Sequence, residues 1–275
     1  MKIRFWGVRG SRPVPGFTTL RYGGNTPCVE VRTDKRIFIF DAGTGICELA
    51  KDIIKKQVTE AEIYVTHTHW DHIHGFPFFT PAFIPGNKFT LHGPAQCKMA
   101  FSEIMRSQMA PPFFPLTMDA FSADISVREL NDNETVSYPE GCHVKTCKTN
   151  HPDGCLAYRL EYQKKSICYI TDTEHYAKID TSLKAFCSEA DLMIYDASYT
   201  DSEYTGENGS AGNAGWGHST WQEAIKLAKA SHTKKLVLFH HAPFRSDEQL
   251  DAINIAAQSQ FPACITAMEG MEIEI

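Results

Sequence analysis

His67, Thr68, His69, Trp70, Asp71 and His72 put three imidazoles and one carboxylate into six consecutive residues, directly after the apolar run at 63–65. Donors packed this densely are costly to desolvate unless a cation occupies the space between them. In extended backbone, residues two apart share a face, so His67 and His69 can converge on one ion. Asp71 and His72 fall just past the strand end. If the chain turns into a helix there, they point to a neighbouring position and the segment serves two divalent metal ions.

A dinuclear centre draws on about seven protein donors, and separate strand ends are their natural source. His151 stands in Thr149-Asn150-His151-Pro152, after a strand pattern at 144–149. Asp172 follows Cys168-Tyr169-Ile170-Thr171, which places its carboxylate to bridge two cations, and His240 follows Leu236-Val237-Leu238-Phe239. His218 lies in Gly217-His218-Ser219-Thr220, where the Ser or the Thr can also cap the next helix. One strand-end His or Asp alone is usually a surface residue; three in this order behind the histidine cluster point to ligands. His241 competes with His240 by adjacency, and His240 is preferred because it terminates the apolar run. His74, His92, His143, His175 and His232 read as ordinary histidines. Cys142, Cys147 and Cys155 flank His151 and read as buried thiols.

The elements that must position these residues alternate between strand and helix. Strand patterns occupy 2–8, 28–31, 36–40, 63–66, 89–92, 134–138, 143–149, 156–162, 166–170, 192–195 and 235–239. Helical spacing marks 46–56, 95–109, 220–230 and 247–258. The Phe- and Pro-rich stretch 75–87 suits a packed irregular loop that could wall a pocket, and the long Gly, Ser and Asn stretch 199–217 suits a lid. The expectation is an α/β fold in one domain over 1–275. At 43% hydrophobic and 22% charged residues the chain falls within ordinary globular usage, and its net charge of −6 argues against a protein that grips a polynucleotide backbone. The start has no apolar signal core and no run is long enough to span a bilayer, so a cytoplasmic location is expected. Nine cysteines without a regular framework suggest reduced, mostly buried thiols.

These residues resemble the metallo-β-lactamase superfamily, whose H-x-H-x-D-H pattern stands here as His67-Thr68-His69-Trp70-Asp71-His72. The likeness runs over nearly the whole chain: Asp41, in Asp41-Ala42-Gly43-Thr44-Gly45, is similar to the family aspartate that stands behind the ligands, and His151, Asp172 and His240 fall where later ligands are expected. The resemblance implies a four-layer αβ/βα sandwich with the site at one edge of two sheets. It also implies a ligand set, with His67, His69 and His151 on one ion, Asp71, His72 and His240 on the other, Asp172 on both, and a water shared between the ions as nucleophile. Zinc fits such a set, and manganese is the alternative.

Gly217-His218-Ser219-Thr220 and Asp196 resemble the histidine and acidic partner of the phosphodiesterase branch that includes ribonuclease Z. Asp71, His218 and Asp196 would then carry the chemistry, His218 as phosphate contact or proton donor. Two departures narrow the substrate. The twenty residues between His151 and Asp172 are too few for the tRNA-gripping arm that ribonuclease Z inserts there, and Cys28 alone replaces the cysteine-rich zinc site of the phosphoribosyl cyclic phosphodiesterases. Gly7-Val8-Arg9-Gly10-Ser11, Tyr22-Gly23-Gly24-Asn25-Thr26 and Phe239-His240-His241-Ala242-Pro243 are most similar to compact bacterial and phage enzymes that open cyclic nucleotides. The expected partner is a small phosphodiester, with no membrane and no stable nucleic-acid complex, and the resemblance suggests a homodimer. The competing readings are a phosphoribosyl cyclic phosphate hydrolase, a ribonuclease Z-like nuclease, and a metal-dependent sensor that holds a nucleotide without turning it over.

Overall fold

The computed structural model describes residues 1–207 and 211–275. Among them one seven-stranded sheet runs in the order β14 (Glu272–Glu274), β1 (Lys2–Gly7), β2 (Cys28–Arg32), β3 (Ile37–Phe40), β4 (Glu60–Tyr64), β5 (Lys88–Gly93) and β6 (Asp124–Glu129). The second runs β13 (Cys264–Thr266), β12 (Leu236–Phe239), β11 (Leu192–Asp196), β10 (Lys165–Ile170), β9 (Cys155–Tyr162), β8 (His143–Thr149) and β7 (Thr135–Ser137). Both sheets are mixed, with β3 to β6 parallel in the first and β10 to β13 parallel in the second.

Alternation along the strands builds the layers. Phe38 and Phe40 of β3, Leu192 and Ile194 of β11, and Tyr158 of β9 point between the sheets and are buried there. Their neighbours Ile39, Met193 and Tyr195 face outward against helices. Helices α1 (Ile46–Lys55) and α3 (Phe101–Ser107) cover the first sheet with Ile46, Leu49, Ile53, Phe101 and Met105. Helices α4 (Thr181–Phe186), α6 (Trp221–Ala230) and α7 (Asp247–Gln260) cover the second with Leu183, Ala224, Ala228, Leu250 and Ala257. Helix on sheet on sheet on helix is the expected four-layer α/β arrangement, the consequence of two sheets that each have two apolar faces to bury.

Several local expectations need correction. The helix expected at 95–109 is only α3, because Cys97 and Lys98 take left-handed backbone (φ 51° and 64°) in a turn closed by Gln96 and Met99. The strand expected at 63–66 runs instead over Glu60–Tyr64; Glu62 enters the sheet because Arg36 pairs with it and His92 hydrogen-bonds to it. Strands β6, β13 and β14 and helix α4 had no strong pattern, being short or largely exposed on one face. The stretch 199–217 is not all loop: Thr200 caps α5 (Asp201–Thr205), and Glu174 accepts from the Tyr204 hydroxyl (2.6 Å) and the amides of Gly215 (2.6 Å) and Gly217 (3.0 Å). Residues 208–210 of the expected lid lie outside the described residues. No helix among the described residues is long and apolar enough to cross a membrane, and all nine cysteines are free thiols.

Ile194 is fully buried between the sheets. Replacing Ile194→Ala is expected to lower the unfolding free energy by about 2–5 kcal/mol. A denaturant titration reads this as a lower midpoint at unchanged slope; a loss below about 1 kcal/mol would contradict this packing.

Candidate metal centre

The polar residues gather where parallel strands end. Asp41 follows β3, His67 lies three residues past β4, His151 follows β8, Asp172 follows β10, Asp196 ends β11 and His240 follows β12. Asp41, Asp172 and His240 all adopt left-handed backbone, with φ of 62°, 49° and 59°. Each such residue costs on the order of 1–3 kcal/mol, a strain typical of functional sites. The kink turns each side chain off its strand into the gap between the sheets' ends. His67 and His69 sit beyond the strand, not within it, and helix α2 (Trp70–Ile73) then carries Asp71 and His72 to the adjacent position.

Two donor sets result. In the first, His67 Nε2 lies 2.9 Å from His69 Nδ1, which lies 3.1 Å from His151 Nε2, and Asp172 Oδ2 is 3.5 and 3.7 Å from the nitrogens of His67 and His151. In the second, His72 Nε2 is 3.3 Å from Asp71 Oδ2 and 3.2 Å from Asp172 Oδ1, and His240 Nε2 is 3.2 and 3.1 Å from the same two oxygens. The two oxygens of Asp172 therefore face different sets.

Hydrogen bonds on the far side of the His72, His151 and His240 rings set which nitrogen faces the cluster. His72 Nδ1–H donates to Asp41 Oδ2 at 2.8 Å, and His151 Nδ1–H donates to the Gly217 carbonyl at 2.8 Å. His240 Nδ1 meets Ser198 Oγ at 3.1 Å, and that hydroxyl donates to Asp196 Oδ1 at 2.8 Å. Asp41 is itself held by Thr66 N–H (2.8 Å) and the Tyr169 hydroxyl (2.8 Å). Nitrogen lone pairs thus converge on one another and on carboxylate oxygens, acceptor against acceptor, and the buried Nε2 of His72 has no hydrogen-bond partner. Only a cation satisfies such a set.

The charges agree. The ion-pair partners of the buried Asp41, Asp71, Asp172 and Asp196 are all histidines. Burial and the neighbouring His72 hold His67 well below the usual imidazole range, in the neutral form that ligates metal. For His72 the effect of burial is overcome by Asp71, Asp172 and Asp41, and its pKa is driven up. Burial opposes protonation of His218 as well, but Asp196, accepting from its Nδ1 at 2.9 Å, pushes it up to about 9. His218 stacks on His240, with ring centroids 4.9 Å apart, and stands 3.9 Å from Asp172 Oδ2.

Every expected site residue lies in this cluster. His241 turns away, its Nε2–H donating to the Ala267 carbonyl at 2.9 Å, while burial pushes it down to about 3. His92 is a buried partner of Glu62, stacked on Tyr64. The sequence reading missed Ser11, whose amide donates to Asp71 Oδ2 at 2.7 Å, and Ser198, Thr66, Tyr169 and Gln96. Gln96 Oε1 accepts from Thr68 N–H at 2.6 Å and fixes the strand-to-helix turn. Gly10 had a legible signal in the glycine-rich start: a Cβ there would run into the His240 ring. The open side of the cluster is a cavity of about 440 Å³ lined by Ser11, Thr68, His69, Trp70, Asp71, Asp172 and His218.

Comparison with known proteins agrees with this architecture. Ribonuclease Z of Pyrococcus furiosus is 23% identical over 295 residues, covering 88% of this chain and 87% of that protein. Among solved structures, the metallo-beta-lactamase fold protein YhfI from Bacillus subtilis superposes with a TM-score of 0.73 at 17% identity, covering 100% of this chain and 98% of that one. Zinc-bound PqqB from Methylobacterium extorquens gives a TM-score of 0.71 at 16% identity, covering 100% of both chains. The family model described as the beta-lactamase superfamily domain matches residues 36–241. With that match extending over most of the sequence, and with histidines and aspartates of a divalent-metal site at its strand ends, the chain belongs to the metallo-β-lactamase superfamily, in the ribonuclease Z-like branch.

Proposed function

We propose that this chain is a dinuclear metal-dependent phosphodiester hydrolase that opens small cyclic phosphates, cyclic nucleotides foremost. The observation that carries the reading is the joining of two four-donor sets through Asp172, with the Asp196-held His218 beside them. His67, His69, His151 and Asp172 would hold one ion, and Asp71, His72, His240 and Asp172 the other. Two divalent cations there supply an acidified water and polarise the phosphoryl oxygens.

The protein's own groups account for the rest. His218, which Asp196 pushes toward protonation, would donate to the leaving oxygen as the P–O bond breaks, or neutralise charge on the phosphoryl group. Asp196 keeps its Nε2 directed at the cavity by accepting from Nδ1. Asp71 is pinned by the Ser11 amide, and its neighbour Thr68 by Gln96, so the ligating turn is rigid before substrate arrives. Zinc is favoured by the imidazole-rich first set and by the zinc found in PqqB; the carboxylates of the second also suit manganese.

Small substrates are favoured over RNA by the segment between His151 and Asp172. It is filled by β9, β10 and a tight Gln163-Lys164 turn with φ of 49° and 63°, and no arm extends from it. The net charge of −6 points the same way. A second reading, a ribonuclease Z-like nuclease, is favoured by the likeness to that enzyme from Pyrococcus furiosus over 87% of its length. Turnover of a panel of 2′,3′- and 3′,5′-cyclic nucleotides, phosphoribosyl cyclic phosphate and pre-tRNA, with metal analysis on the same sample, separates the readings. Metal-dependent opening of a cyclic nucleotide supports the first, cleavage confined to pre-tRNA selects the second, and binding without turnover of any diester would sink both.

Chelation should abolish turnover and lower the melting temperature, because the metals bind the folded state; zinc should restore both. Asp41→Asn should weaken metal retention about 10–100-fold by releasing the His72 ring, measured by elemental analysis after dialysis. His218→Ala should lower kcat by roughly 10²–10⁴-fold at full metal content, and an unchanged rate would remove His218 from the mechanism. Removing the carboxylate that raises His218 should, in Asp196→Asn, move the alkaline fall of the rate profile to lower pH.

A further inference from the structure

A second cavity of about 510 Å³ adjoins the metal centre and shares Thr68 and Trp70 with it. Unlike the polar cavity over the ligands, its walls are aromatic: Trp70 from α2, Phe78 from the irregular stretch 75–87, and Phe113 and Phe114 from the segment after α3. Trp70 is 83%, Phe113 87% and Phe78 53% exposed. Large aromatic side chains left open to water around one concavity mark a binding surface. The groove is braced from behind, with Phe78 and Phe114 edge to face at 5.5 Å. Gln108 on the same wall makes one weak contact, to the Met105 sulfur at 3.7 Å, so its amide can turn to a ligand.

We infer that this groove holds the nucleobase of the substrate, stacked on Trp70 and Phe113, while the phosphodiester lies over the metal ligands. The inference rests on the phosphodiesterase reading and adds the place where the base binds. A nucleotide is charged at the phosphate and flat and aromatic at the base; the two joined cavities have that same division, with Thr68 and Trp70 where the sugar would cross. Aromatic stacking accepts any base, since each has a π-face. Phe113 and Trp70 therefore set a preference for nucleoside diesters over base-free ones, and Gln108 can grade one base against another through its edge.

The test uses the full chain with zinc and the variants Phe113→Ala and Phe113→Trp. Phe113 is exposed, so neither change removes core packing. The readouts are the ratio of kcat/KM for adenosine 3′,5′-cyclic phosphate to that for base-free ribose 3′,5′-cyclic phosphate, and calorimetric affinity for adenosine 5′-monophosphate. Phe113→Ala should lower the ratio and weaken the monophosphate by roughly tenfold, mainly through KM, and Phe113→Trp should keep both. An unmoved ratio with unmoved affinity overturns the inference. So does a change of sedimenting mass in Phe113→Ala without a change in affinity, which assigns the groove to a second copy of the chain. If the wild type opens neither cyclic diester nor bis(p-nitrophenyl) phosphate, the phosphodiesterase reading fails; the monophosphate affinities still decide whether the groove takes a base.

Discussion

Four carboxylates, those of Asp41, Asp71, Asp172 and Asp196, are buried together, and among the described residues no lysine or arginine is an ion-pair partner of any of them. Burying that much negative charge is prohibitive unless positive charge comes with it. Imidazolium can supply part of it, and His218 is pushed toward protonation. The remaining histidine nitrogens, however, are held with lone pairs facing the carboxylates, an arrangement that answers to divalent cations. The outward hydrogen bonds to Asp41, Ser198 and the Gly217 carbonyl are what keep those lone pairs inward.

The fold meets this demand because its sheets point their parallel strand ends the same way. Each strand is apolar to its last residues and then releases one polar side chain, so the core and the site share a boundary at Phe40, Ile170 and Phe239. Left-handed backbone at Asp41, Asp172 and His240 converts the direction of a strand into the direction of a ligand. The packed sheets hold that strain, which relaxed local structure could not.

The cavity over the ligands is lined mainly by polar residues, and an aromatic groove continues from it. Trp70 joins them: flanked by His69 and Asp71, it belongs to the ligating turn yet lies open to solvent. One turn of helix thereby serves both cavities, since α2 carries an inward carboxylate and imidazole beside an outward indole.

The sequence by itself determined the ligand types and most of the strands. His67 to His72 is a local pattern, Asp172 and His240 are legible because each follows an apolar run, and His151 because it follows a strand pattern in a loop, signals that depend only on neighbours in the chain. The left-handed turns that aim Asp41, Asp172 and His240 inward, and the roles of Ser11, Ser198, Tyr169 and Gln96, were decided by tertiary structure. Ser11 lies sixty residues from Asp71 and Tyr169 lies 128 from Asp41, so no local pattern marks them. Helix α3 is shorter than its periodicity promised because Cys97 and Lys98 turn through left-handed backbone before it, while the Gln96 side chain fixes Thr68. The aromatic groove likewise exists only once three distant segments, around Trp70, Phe78 and Phe113, are brought together by the packing of the first sheet against its helices.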